Sequence, residues 1–109
     1  MPIPKYDEMY RAFLNCLADG QLHRSKEVKD TVAGAFSISE KERVELLPSG
    51  KQQLFDNRIG WTRTYLKKAG LVQSPSRGVY MITPAGRQVL DENPPQIDNL
   101  YLRRFESFR

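Results

Sequence analysis

One cysteine, Cys16, and one histidine, His23, stand in a chain of 109 residues. A single thiol forms no internal disulfide, and a single imidazole without a cysteine cluster excludes multi-histidine and cysteine-rich metal sites. Long apolar runs are also missing. None approaches the ~20 residues that a membrane-spanning helix needs, and no segment joins a basic start, an apolar stretch and a small-residue cleavage site. The expectation is therefore a cytoplasmic protein with no membrane partner. Repeats and low-complexity tracts are lacking, and glycine and proline fall at boundaries. The length allows one small domain with a single modest core.

What is present is charge, unevenly placed. The formal net charge is +4. Between positions 51 and 68 the five cations Lys51, Arg58, Arg63, Lys67 and Lys68 face one acid, Asp56, which leaves +4 in that segment alone. From 25 to 46, Lys26, Lys29, Lys41 and Arg43 face Glu27, Asp30, Glu40, Glu42 and Glu45, four against five, a net −1. Such polarity is expected of a nucleic-acid face.

The basic segment has helical periodicity. Phe55, Ile59, Thr62, Leu66 and Ala69 recur at four- and three-residue steps and define a core-facing stripe. On a wheel of about 100° per residue the opposite side carries Gln53, Asn57, Gly60, Thr64, Lys67 and Lys68, with Arg63 on its flank. Ser49 and Gln52 have capping-box spacing, so the helix is expected from about 51 to 69, with Gly70 as its stop. Leu54, Trp61 and Tyr65 share one edge of this helix. They either widen the core or form an aromatic surface on which an unpaired base stacks.

After it come two short β-like runs, Leu71-Val72-Gln73 and Val79-Tyr80-Met81-Ile82, separated by the turn-forming stretch Ser74-Pro75-Ser76-Arg77-Gly78. Thr83-Pro84 then opens another helix, which Asn93-Pro94-Pro95 ends. A basic helix followed by a hairpin and a helix is the second half of a winged helix-turn-helix: mainly α, with a small β-hairpin as the wing. Arg77 at the wing tip is either an exposed loop arginine or a contact to phosphate or minor groove.

Upstream, Tyr6, Met9, Tyr10, Phe13, Leu14, Cys16 and Leu17 form a wide helical stripe closed by Asp19-Gly20. Cys16 reads as an inert buried thiol and His23 as structural. Gln21-Leu22-His23 is a short extended segment, of the kind that pairs with the hairpin in winged folds. Ser25 is placed to cap a helix through Val28, Val32 and Phe36, and a Ser39–Glu42 capping box opens a helix running to Leu46 or Leu47. The tail differs. Ile97, Leu100, Tyr101, Phe105 and Phe108, with Arg103, Arg104 and Arg109 between them, are too apolar for a solvated tail. Residues 96–109 are expected to begin a connection to a further domain; folding back and pairing with a second copy are the alternatives.

Several blocks resemble the N-terminal domain of the Mrr family of type IV, modification-dependent restriction proteins. They run from Ile3-Pro4-Lys5-Tyr6-Asp7 through Asp19-Gly20, His23-Arg24, Leu47-Pro48-Ser49-Gly50-Lys51-Gln52 and Phe55-Asp56-Asn57-Arg58-Ile59-Gly60-Trp61 to Thr64-Tyr65-Leu66-Lys67-Lys68-Ala69-Gly70-Leu71 and Arg77-Gly78-Val79-Tyr80. The resemblance implies a winged-helix domain over residues 1–95 and a PD-(D/E)xK nuclease domain downstream, where the divalent metal would act. No lysine follows Lys68, so this chain is expected neither to cleave DNA nor to need a cofactor. Its expected role is to dock duplex DNA, methylated DNA included, and deliver it to the nuclease. Gln53, Asn57 and Thr64 are the candidates for base edges, and Lys51, Arg63, Lys67, Lys68 and Arg77 those for phosphates. The alternatives are an oligomerisation or autoinhibitory domain and, further off, a free-standing transcription regulator.

Overall fold

A computed structural model describes residues 3–108; Met1, Pro2 and the tail's Arg109 lie outside the described residues. After a single 3-10 turn at Tyr6–Glu8 come helix α1 (Tyr10–Cys16), strand β1 (His23–Arg24), α2 (Ser25–Ala35) and the short α3 (Glu40–Arg43). Next follow α4 (Leu54–Lys68), β2 (Val72–Ser76), β3 (Val79–Ile82), α5 (Pro84–Glu92), α6 (Asn99–Leu102) and a last 3-10 turn at Glu106–Phe108. The sheet order is β1-β3-β2, antiparallel throughout. The extended segment at His23 does join the hairpin, with His23 opposite Tyr80 and Arg24 opposite Val79.

The periodic stripe of α4 is its buried face. Phe55, Ile59, Thr62, Leu66 and Ala69 are all 3 % exposed or less, and they pack with Phe13, Leu14, Leu17, Val28 and Val32 of α1, its C-cap and α2. Thr62 is the one polar member, and its hydroxyl donates to the Tyr6 carbonyl at 2.7 Å. Beside it, Arg58 donates to the Ile3 carbonyl at 2.6 Å. Two side chains of α4 thus hold the N-terminal segment, and the residue that looked out of place in an apolar stripe is satisfied there.

Helix ends are set partly by other elements. Thr83 caps α5 as expected, accepting from Gly86 N at 3.0 Å, and Asn93 closes the helix in the left-handed conformation at φ 47°. Gly86 has no room for a Cβ, which would collide with the Leu71 carbonyl. The Ser39–Glu42 box also forms, but α3 stops at Arg43. Leu46, expected in that helix, bridges to Gln53 instead.

The same bridge overturns the expected start of α4. Leu47 N donates to Gln52 O at 2.9 Å and Gly50 N to Leu47 O at 2.8 Å, so residues 46–53 form a turn with Gly50 at φ 73°. Ser49 Oγ accepts from Lys51 N inside that turn and does not cap the helix. The cap residue is Gln53, without a side-chain bond. Ser25 is likewise the first residue of α2 and not its cap, because its amide is taken by the Gly78 carbonyl at 2.9 Å.

The wing is longer than its turn signals indicate. β2 extends through Ser76 on the sheet edge, where Pro75 needs no partner for its missing N–H. Between Gln73 and Ser76 the register slips, and the Ser74 hydroxyl donates to the Val79 carbonyl at 2.8 Å in place of a backbone donor. Arg77 and Gly78 alone make the turn, with Gly78 at φ 74°.

Residues 97–108, expected to begin a connection, lie back on the domain. Ile97 and Leu102 are buried and Phe108 packs against Tyr65. Asn99 accepts from Tyr10 Oη at 2.6 Å and donates to Tyr6 Oη at 2.8 Å. Most of the apolar side chains that set the tail apart thereby pack on the domain itself, whereas Leu100 stays 73 % exposed.

Candidate nucleic-acid interface

Folding brings α4 and the wing together into a groove of about 270 Å3. Arg63, Thr64 and Lys67 line it from the helix, and Ser74, Arg77 and Gly78 from the hairpin, with Tyr80 behind. No acidic side chain among the described residues lines it. Arg63 is half-buried, and one guanidinium N–H donates to Tyr80 Oη at 3.3 Å. That bond holds the planar fork in place and uses one of its five donors. Lys67 and Arg77 are exposed. The exposed Thr64 hydroxyl donates back to the Gly60 carbonyl at 2.9 Å.

A shallower depression adjoins the groove, lined by Gln52, Asn57, Gly60, Trp61, Arg63 and Thr64. Asn57 donates to Gln52 Oε1 at 3.1 Å, so two amides form one polar unit at the start of α4. Trp61 stacks on Tyr65 at 5.9 Å and remains 48 % exposed. Tyr65 is packed between Tyr6 at 5.3 Å and Phe108 at 5.7 Å. The aromatic edge of α4 is therefore split: Tyr65 and Leu54 widen the core, whereas Trp61 does not.

Of the eight positions singled out from sequence, the structure gathers Asn57, Arg63, Thr64, Lys67 and Arg77 around these two connected surfaces. The other three lie elsewhere. Lys51 is on the exposed turn before α4. Gln53 is the half-buried cap, engaged with Leu46. Lys68 points to the opposite flank, with its ammonium 5.5 Å from the centre of the Phe108 ring. Gln52 and Tyr80 were missed. The sequence pattern puts Gln52 inside a helix that begins only at Leu54, and Tyr80 reads only as a strand residue, since its hydroxyl meets Arg63 across elements.

The isolated chemical groups are structural. His23 lies between Asp19 and Glu27, with Nε2 2.8 Å from the Asp19 carboxylate and Nδ1 2.5 Å from that of Glu27. Its pKa is raised, chiefly by the hydrogen bond to Asp19. Burial raises the Cys16 thiol, which disfavours the nucleophilic thiolate. Among the described residues no group of three or more His, Cys, Asp or Glu side chains is placed to hold a metal ion, and no helix is long and apolar enough to cross a membrane.

Three helices packed on a three-stranded sheet, with the hairpin beside the exposed helix, define a winged helix-turn-helix domain. The family model described as the Mrr N-terminal domain matches residues 6–92, and the chain belongs to that family. It is 35 % identical over 95 residues to the "Type IV methyl-directed restriction enzyme EcoKMrr" of Escherichia coli (strain K12). That match covers 86 % of this chain and 31 % of the relative, so the chain spans about a third of that protein's length. No solved structure is a significant match. The chain is thus a domain of restriction-protein type.

Proposed function

We propose that this domain docks duplex DNA, with α4 entering the major groove and the wing following the backbone, and delivers it to a PD-(D/E)xK nuclease domain of the parent protein. The observation that carries the reading is the groove in which Arg63, Lys67 and Arg77 converge with no acid among them. Lys67 and Arg77 neutralise phosphates, and Arg63, oriented by Tyr80, reaches a base edge or a phosphate with its remaining donors. Asn57, supported by Gln52, is the amide suited to adenine. Lys51 adds charge at the approach to α4. The relative's printed name is methyl-directed, and modified duplexes are the substrate class proposed here. Residues 96–109 lead on to the nuclease domain, and a cytoplasmic setting goes with the role.

The test is a titration of paired duplexes, differing only in methylated adenine or cytosine, at several salt concentrations. Each neutralised phosphate contributes a slope of about −0.9 in log affinity against log salt. Three to five contacts are expected, so a slope near zero overturns the docking reading. Equal binding of methylated and plain duplexes leaves docking intact and removes the modification preference.

A further inference from the structure

Trp61 is the single tryptophan of the chain and, among the described residues, the one aromatic side chain that stays exposed. Tyr65 stacks on it with the ring planes 26° apart and is itself wedged between Tyr6 and Phe108. The indole is thus held from one side, and little side-chain freedom is left to lose when a ligand packs on its open part. It stands one turn beyond Asn57 and shares a depression with Asn57, Arg63 and Thr64. A braced apolar surface therefore borders the hydrogen-bonding groups on the face of α4 proposed to enter the major groove.

The apolar group that a base pair presents in that groove is a methyl. Thymine carries it at C5, and a 5-methylated cytosine carries it at the same ring position. Asn57 spends one amide N–H on Gln52, which leaves its second N–H and its carbonyl oxygen, the pair that matches adenine N7 and the adenine amino group. A methyl on that amino group replaces the hydrogen facing the major groove, so Asn57 disfavours N6-methyladenine. Trp61 lies about 6 Å further along α4, and stacked base pairs are ~3.4 Å apart. The two side chains therefore address neighbouring base pairs.

We propose that Trp61 is a specificity-determining residue, whose indole packs on the 5-methyl group of a pyrimidine one or two base pairs from the adenine at Asn57. The proposal rests on the docking reading and narrows its target to 5-methylcytosine or, in unmodified DNA, thymine.

The test titrates the domain with a mixed-sequence duplex and three versions of it: every cytosine 5-methylated, every thymine replaced by uracil, or every adenine N6-methylated. Burying one methyl group is worth about fourfold in affinity. A gain of that size with 5-methylcytosine, or a loss of that size with uracil, supports the proposal and identifies the source of the methyl. Trp61→Ala and Trp61→Gln should each abolish the difference and keep the salt slope, because no charge is removed, whereas Trp61→Phe should retain most of it. As the only tryptophan, Trp61 also reports directly, and its fluorescence should become shielded from acrylamide in the complex. The proposal alone is overturned if neither pyrimidine substitution changes affinity, if the difference survives both Ala and Gln variants, if N6-methyladenine is the preferred base, or if bound Trp61 is quenched as readily as free. Absence of salt-dependent binding to every duplex overturns the docking reading as well.

Discussion

The two flanks of α4 carry the same kinds of side chain and are put to opposite uses. On the wing side, Arg63, Lys67 and Arg77 line an open groove, and only Arg63 is held, by Tyr80. On the other side, Arg58 is spent on the Ile3 carbonyl, Lys68 lies over Phe108, and Tyr65 is wedged between Tyr6 and Phe108. Lys67 and Lys68 are adjacent in sequence, yet about 100° of helical rotation separates groove from tail. A basic helix is therefore not a uniform binding surface: its cations are free for a ligand only where no other segment claims them.

The largest effect should come from the stripe that both flanks share. Phe55 is fully buried and carries Arg43 on its ring at 5.2 Å, so Phe55→Ala should lower unfolding free energy by about 3–5 kcal/mol, read by urea denaturation. A loss below ~1 kcal/mol would mean that α4 is held by its flanks and not by its stripe.

The comparison itself is tested by charge removal. Lys67→Ala with Arg77→Ala should reduce the steepness of the salt dependence of duplex binding by about 1.8, two contacts at ~0.9 each. Lys68→Ala should leave the slope nearly unchanged and slightly loosen the tail. Equal slope changes from both sides would erase the distinction between the flanks. Lys67→Glu with Lys68→Glu separates docking from assembly, since a domain acting only by protein interaction would keep its oligomeric state and lose nothing on DNA.

A smaller effect belongs to the structural flank. Thr62→Val removes the bond to the Tyr6 carbonyl and should cost about 1 kcal/mol in thermal or chemical unfolding, with duplex affinity unchanged. A shift in affinity larger than the shift in stability would show that the flanks communicate.

The smallest concerns pH. His23 has a raised pKa in the fold, chiefly through Asp19, above its ordinary 6.5. Its contribution is fully present below 6.5 and is lost as pH rises through the raised value. Asp19 is lowered, chiefly by the bond to His23, and its contribution is lost as pH falls through that lowered value. Melting temperature should thus decline gently from mildly acidic to alkaline pH, and His23→Gln should flatten the decline. An identical profile in the variant would place the titrating group elsewhere.

Much of the frame was readable because it rests on local periodicity. The stripe of α4, the Ser39 and Thr83 caps, the Gly70 stop and the two hairpin strands each depend on residues within a few positions of one another. The errors share one cause. The local pattern gives Ser49, Ser25 and Leu46 helix roles, and backbone pairing between segments sets their places instead: the Leu46–Gln53 bridge and the Ser25–Gly78 bond. Moving the start of α4 to Leu54 is what exchanged Gln53 for Gln52 on the exposed side.

The sequence alone determined a small winged domain with its positive charge concentrated between 51 and 68, since hydrophobic spacing and charge order are properties of the chain. Only the tertiary structure decided which cations remain available. Arg63 meets Arg77 because the hairpin folds back beside the helix, and Lys68 meets Phe108 because the tail does. Asp56 meets Lys29 because α2 packs beside α4. Side-chain availability depends on what packs alongside, and those neighbours are far away along the chain.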